Sequence, residues 1–101
     1  MKGAPIDKAL CEYLKQYRRG QESAASSKEL EAVFHVKGTE LRRVVNRLRC
    51  DGWPICSDAT GYFYAARQSE IQATVAQLTG RISKIAAATK GLLKSYEEKE
   101  G

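Results

Sequence analysis

The chain has 101 residues, 43% of them hydrophobic and 29% charged, with a formal net charge of +5. That leaves room for one small domain built around one hydrophobic core. The longest apolar runs, such as Ile85-Ala86-Ala87-Ala88, fall far short of the roughly 20 residues a membrane span requires. Met1-Lys2-Gly3-Ala4-Pro5 leads into mixed polar sequence and not into a signal peptide, so a cytoplasmic location is expected. Cys11, Cys50 and Cys56 leave an odd thiol in any pairing and form no Cys-x-x-Cys motif; reduced, partly buried thiols are expected. The charge excess is concentrated, because residues 37–49 carry five basic groups and one acidic group. One strongly basic element on a mixed surface is what phosphate attraction by a single helix requires.

The first helix is predicted from about Pro5 to Arg19, where proline suits a helix start and Ile6, Leu10, Tyr13, Leu14 and Tyr17 recur at three- and four-residue spacing. Gly20 stops it, and Gln21 to Ser26 reads as a loop with room for a short strand. A capping box opens the second helix: Ser26 accepts the amide of Glu29, and Glu29 reaches back to the Ser26 amide. Leu30, Val33 and Phe34 form its buried face, and His35-Val36-Lys37-Gly38 breaks the pattern as a turn.

A third helix is predicted from Thr39 to Asp51, with Leu41, Val44, Val45 and Leu48 on its buried face. Its other face carries Thr39, Arg42, Arg43, Asn46, Arg47 and Arg49. Gly52 suits a left-handed C-terminal cap, and Trp53-Pro54 prevents continuation. Ile55-Cys56-Ser57 and Tyr62-Phe63-Tyr64 read as two short strands joined through Asp58-Ala59-Thr60-Gly61. Tyr62 and Tyr64 then share one side of the ribbon and Phe63 takes the other, with Trp53 expected beneath the ribbon against the third helix.

From Ser69, as N-cap, the chain turns helical again to about Tyr96. Ile71, Val75, Leu78, Ile82, Ile85, Thr89, Leu92 and Tyr96 follow alternating spacings of four and three, a seven-residue repeat. Such a helix is about 40 Å long, more than this small domain can cover, so part of it is expected to meet another chain. The positions beside the seam hold small or neutral residues, with Arg81 as the lone charge, so the apolar face is broad. Gly80 and Gly91 lie off the seam, and Glu97 to Gly101 should fray.

In sequence, the elements from Ser26 to Ala65 make a winged helix-turn-helix, giving an α+β, mostly helical fold with a long C-terminal helix. The run from Leu41-Arg42-Arg43 through Gly52-Trp53-Pro54-Ile55, Ser57 and Gly61-Tyr62 resembles the winged helix-turn-helix superfamily. It is similar in particular to the DNA-binding domains of DeoR-type and biotin-repressor-type regulators and to small phage and prophage proteins. The resemblance covers residues 26–66. It implies DNA binding through the third helix, with Thr39, Arg42, Arg43, Asn46 and Arg47 facing the groove. Asp58 stands at the wing tip where many members carry basic residues, which weakens the expectation of wing-to-phosphate contact.

Arginine can present a fork to guanine and asparagine can pair with adenine, so the outward face suits base reading. Arg49 and Lys37 extend the basic set, and Lys28 is a candidate phosphate contact where the second helix crosses the backbone. Residues 1–67 are expected to form the DNA-binding domain. Residues 68–101 form a dimerisation element whose seam is Ile71, Val75, Leu78, Ile82, Ile85, Leu92 and Tyr96. The expected function is a homodimeric, sequence-specific regulator of transcription bound to double-stranded DNA. The alternative is a protein-interaction module of a phage replication or packaging assembly, with a phage or host protein as partner. No nucleophile with a base, paired carboxylates, phosphate-cradling glycine loop or metal-ligand spacing is present, so neither an enzyme nor a cofactor is expected.

Overall fold

A computed structural model describes residues 5–100, with side chains from 6 to 95. The fold is α+β and mostly helical: α1 (Pro5–Tyr17), α2 (Ser27–Phe34), α3 (Gly38–Cys50), an antiparallel hairpin of β1 (Ile55–Asp58) and β2 (Gly61–Tyr64), and a long α4 (Gln68–Glu100). A single 3-10 turn, Gln21–Ser23, lies between α1 and α2. Among the described residues no helix is long and apolar enough to cross a membrane.

The core joins the apolar stripes of three helices to one side of the hairpin. Leu10 and Leu14 of α1, Leu30 of α2, and Leu41, Val44, Val45 and Leu48 of α3 meet Ile55 and Tyr64. The strand alternation sends Tyr62 and Tyr64 towards this cluster and Phe63, with Cys56, to the opposite face, as the sequence predicts. α1 ends at Tyr17, two residues before its expected end, because Arg18 to Gly20 lie along β2. The Gly20 amide donates to the Tyr64 carbonyl at 2.8 Å, and the Tyr64 amide donates to the Arg18 carbonyl at 2.8 Å. Ala25 exchanges both backbone bonds with Tyr62 at 2.9 and 2.8 Å. The expected short strand is thus present only as two isolated bridges, at Arg19 and Ala25, interrupted by the 3-10 turn.

Local signals in the sequence account for the helix ends. Ser26 caps α2 by accepting from the Glu29 amide at 3.1 Å. The reciprocal half of the box is missing, since the Glu29 carboxylate is bound by Arg18. α2 ends on His35, which adopts the left-handed conformation at φ 56°. α3 ends as foreseen at Gly52, with φ 94°. The Trp53 amide donates to Leu48 and the Gly52 amide to Arg49, both at 3.0 Å, the paired bonds of a Schellman turn. That turn swings Trp53 outward, so it is 45% exposed and not beneath the ribbon.

The hairpin turn is tighter than expected. Asp58 pairs with Gly61 across a two-residue loop, and the Asp58 carboxylate accepts the amides of Thr60 (2.8 Å) and Gly61 (3.3 Å). Asp58 therefore builds the turn. Gly61 is required there, because a Cβ on it would stand 2.1 Å from the Ala25 carbonyl oxygen.

α4 begins at Gln68, one residue before Ser69, and its cap comes from Glu70 instead. The Glu70 carboxylate accepts the amides of Ala66 (2.8 Å), Arg67 (3.1 Å) and Gln21 (2.9 Å) and the guanidinium of Arg67 (2.6 Å). Bonds from the Gln21 and Ala66 amides in particular hold this carboxyl below its ordinary value. Thr74 is buried against β1, where its hydroxyl accepts the Ser57 amide at 3.3 Å. Beyond Leu78, about three turns in, α4 leaves the body: every described side chain from 79 to 95 is exposed. The helix continues to Glu100, giving 33 residues and about 50 Å of length, and the molecule measures 58 × 30 × 26 Å.

Candidate nucleic-acid interface

The outward face of α3 follows from the same periodicity that buries Leu41, Val44, Val45 and Leu48. With 100° per residue, Thr39, Arg43, Asn46 and Cys50 lie opposite the buried stripe, with Arg42 on one flank and Arg47 on the other. Thr39, Arg42, Arg43, Asn46 and Cys50 are all exposed. α4 packs on β1, on the far side of the hairpin from this surface, and covers none of these five. Arg42 makes no ion pair among the described residues, and Arg43 has only a loose approach to Glu40, at 3.7 Å. Lys37, the N-cap of α3, and Lys28, in the first turn of α2, are also exposed and extend the positive surface.

Two members of the expected DNA-binding set, Arg47 and Arg49, are committed to other work. Arg47 donates from Nε and Nη2 to the two carboxylate oxygens of Asp7 at 2.9 and 3.0 Å, a two-pronged clasp between α3 and the first turn of α1. Asp7 is 9% exposed at its side chain and Arg47 44%, and Glu40 lies 3.8 Å from the same guanidinium. Hydrogen bonding from Arg47 holds the Asp7 carboxyl below its ordinary value against the opposing effect of burial. Arg47 is therefore a strut that orients α3 on α1.

Arg49 is the second correction. It is half-buried and donates to the Ile55 carbonyl at 2.7 Å and to the Ser57 hydroxyl at 3.1 Å, tying the end of α3 to β1. Desolvation pushes its pKa down from the ordinary arginine value. The helical angle places Arg49 next to the hairpin, so its charge is spent on an internal carbonyl. The sequence shows the angle but not the neighbour.

Cys50 was not among the expected site residues, although its place in the stripe of Thr39, Arg43 and Asn46 is legible from spacing alone. It is the exposed thiol of the three; Cys11 and Cys56 are buried, and none is paired. Burial pushes the Cys11 and Cys56 thiols up, making them poor nucleophiles.

The seam residues expected on α4 divide into two groups. Leu78 is half-buried, while Ile71 and Val75 are exposed beside the body, next to Trp53 and Pro54. Ile82, Ile85 and Leu92 project from the free part of the helix, Leu92 with 73% of its surface exposed. Tyr96 lies outside the described side chains. No family model, curated protein or solved structure matches this chain.

Proposed function

We propose that this protein binds double-stranded DNA as a winged helix-turn-helix, with α2 and α3 as the two helices and the β1–β2 hairpin as the wing. α3 enters the major groove, and the protein acts as a homodimeric regulator of transcription joined through α4. The observation that carries the reading is the outward face of α3, where Thr39, Arg42, Arg43 and Asn46 stand exposed and uncovered by α4. Arg42, Arg43 and Asn46 take the base-reading and groove-lining roles, because their hydrogen-bonding groups are not spent within the fold. Lys28 and Lys37 supply phosphate contacts on either side. Arg47 holds the helix in position through Asp7. The wing contributes little, since its tip is acidic and Asp58 is used in the turn.

Selection from a random duplex pool followed by titration of variants tests the reading. Arg43→Ala should weaken binding to the selected site by about 1–3 kcal/mol and relax preference at one base pair. Lys28→Ala should weaken all duplexes alike and reduce the salt dependence, since log affinity falls about 0.9 per log unit of salt for each neutralised phosphate. If Arg42→Ala and Arg43→Ala leave duplex affinity untouched, α3 is not the reader.

A further inference from the structure

We infer that Glu40 is a specificity-determining residue of α3, accepting the N4 amine of a cytosine in the major groove while Arg43 takes the guanine of the neighbouring base pair. The inference rests on the duplex-binding reading above and names part of the sequence that α3 selects. Glu40 is the one acid among residues 37–49, where five basic groups stand. It lies in the first turn of α3, the end of a recognition helix that meets base edges. An acid there lowers the attraction of the helix for every phosphate backbone alike, so it acts against indiscriminate binding.

The geometry ties Glu40 both to the core and to the outward face. Asp7, where α1 meets α3, clasps Arg47 at 2.9 and 3.0 Å. The Arg47 guanidinium stands 3.8 Å from one Glu40 carboxylate oxygen, and the Arg43 guanidinium stands 3.7 Å from the other. Four charges of alternating sign thus run from the buried carboxylate of Asp7 to the guanidinium of Arg43, which is 73% exposed. Because Asp7 holds Arg47, Glu40 has a fixed positive neighbour on its inner side. Both approaches are longer than a hydrogen bond, and among the described residues no donor bonds to the Glu40 carboxylate. Its side chain is 40% exposed, so its acceptor oxygens stay open to a base.

The chemistry of base edges identifies the base. A carboxylate accepts hydrogen bonds and donates none. The donors in the major groove are the N4 amine of cytosine and the N6 amine of adenine. Adenine sets its N7 acceptor beside the amine, so a carboxylate that takes the amine brings its second oxygen against a lone pair. Cytosine presents the N4 amine alone, and its edge fits. O6 and N7 of guanine are acceptors that repel a carboxylate and match the fork of Arg43. Residues 40 and 43 are about 4.5 Å apart along the helix axis, close to the roughly 3.4 Å between successive base pairs. Glu40 and Arg43 therefore read two adjacent G·C pairs, the first by its donor and the second by its acceptors.

Selection from a random duplex pool is run on the wild type, Glu40→Gln and Glu40→Ala, and the selected duplexes are titrated with single base-pair changes. The wild type is expected to require a cytosine at one position, beside the guanine whose preference Arg43→Ala relaxes. Replacing that cytosine should weaken wild-type binding about five- to tenfold and leave Glu40→Ala unaffected. Glu40→Gln keeps the length of the side chain, and its amide can donate to N7 and accept from N6, so its preference should move from cytosine to adenine at that position alone. Both variants should bind unselected duplex more tightly than the wild type, since an anion has been removed. Neither helix stability nor net charge can change the base chosen at one position. Unaltered base preferences in both variants, with affinity raised equally on every duplex, overturn the inference while α3 remains the reader. So does a loss of preference spread over all positions together with a lower melting temperature by circular dichroism, which assigns Glu40 to the fold. A wild type that selects no sequence overturns the base-reading role of α3 itself, and this inference with it.

Discussion

Removing the Asp7 carboxylate is expected to loosen the seat of α3 on α1 and to flatten part of the acid sensitivity of the fold. Asp7 accepts two bonds, at 2.9 and 3.0 Å, from Arg47 in a setting where its own side chain is 9% exposed. Hydrogen bonds to a charged group contribute a net 1.5–3 kcal/mol. Arg47 is nearly half exposed and water rehydrates it once its partner is gone, so the lower part of that range applies. Asp7→Asn should therefore cost about 1–2 kcal/mol, which corresponds to a fall in Tm on the order of 5–10 °C for a domain of this size.

The sign of the pH effect follows from the direction of the shift. The folded carboxyl sits below its ordinary value, so the unfolded chain binds the proton first as pH falls. The stabilisation is complete above the unfolded value, about 4, and is lost as the pH drops through the folded one. Glu22, Asp58 and Glu70 are shifted the same way, so the quantity to read is the difference between the wild-type and Asp7→Asn curves. Urea titrations between pH 2 and 7 supply it: the gap should be widest near neutrality and close in acid. Equal urea midpoints for the two proteins at pH 7, or a gap that does not change with pH, would refute the clasp. So would the absence of coupling in a double-mutant cycle with Arg47→Ala.

Other expectations test the turns and the outward face. Gly61→Ala forces a Cβ against the Ala25 carbonyl and should destabilise the protein by about 2–4 kcal/mol in denaturant titration, with loss of hydrogen-exchange protection at the Tyr62 and Ala25 amides. His35→Gly should leave stability unchanged or raise it by up to about 1 kcal/mol, because His35 holds a left-handed conformation; His35→Val should lower it by more than that, as read from the urea midpoint. A colorimetric thiol reagent should find one fast-reacting cysteine, Cys50, and two slow ones, and saturating cognate duplex should protect Cys50 if α3 lies in the groove. Fast labelling of Cys50 in the presence of bound duplex would place the contact elsewhere.

The elements whose causes are local were legible in advance. Ser26 before Glu29, Gly52 before Trp53-Pro54, and the three-and-four spacing of Leu41, Val44, Val45 and Leu48 act within one turn of the chain, so order along the sequence carries their information. So does the alternation that separates Tyr62 and Tyr64 from Phe63. The fates of individual charges were not legible, because partners distant in sequence determine them. Asp7 stands 40 residues from Arg47 and Glu70 stands 49 from Gln21. Only packing brings them together: the local pattern of α3 puts Arg42 and Arg47 alike on its flanks, and nothing in it distinguishes Arg47, which is clasped, from Arg42, which makes no ion pair among the described residues.

Trp53 illustrates the same division. Its position after the helix was readable, but the burial expected for it beneath the ribbon is not what the fold gives: Trp53 is 45% exposed. The sequence by itself determined the succession of helices, the hairpin and the basic character of α3, since these arise from short-range sterics and periodicity. The tertiary structure decided which arginines remain available and left the apolar side of α4 uncovered beyond Leu78. Both follow from three-dimensional proximity, which one-dimensional spacing does not encode.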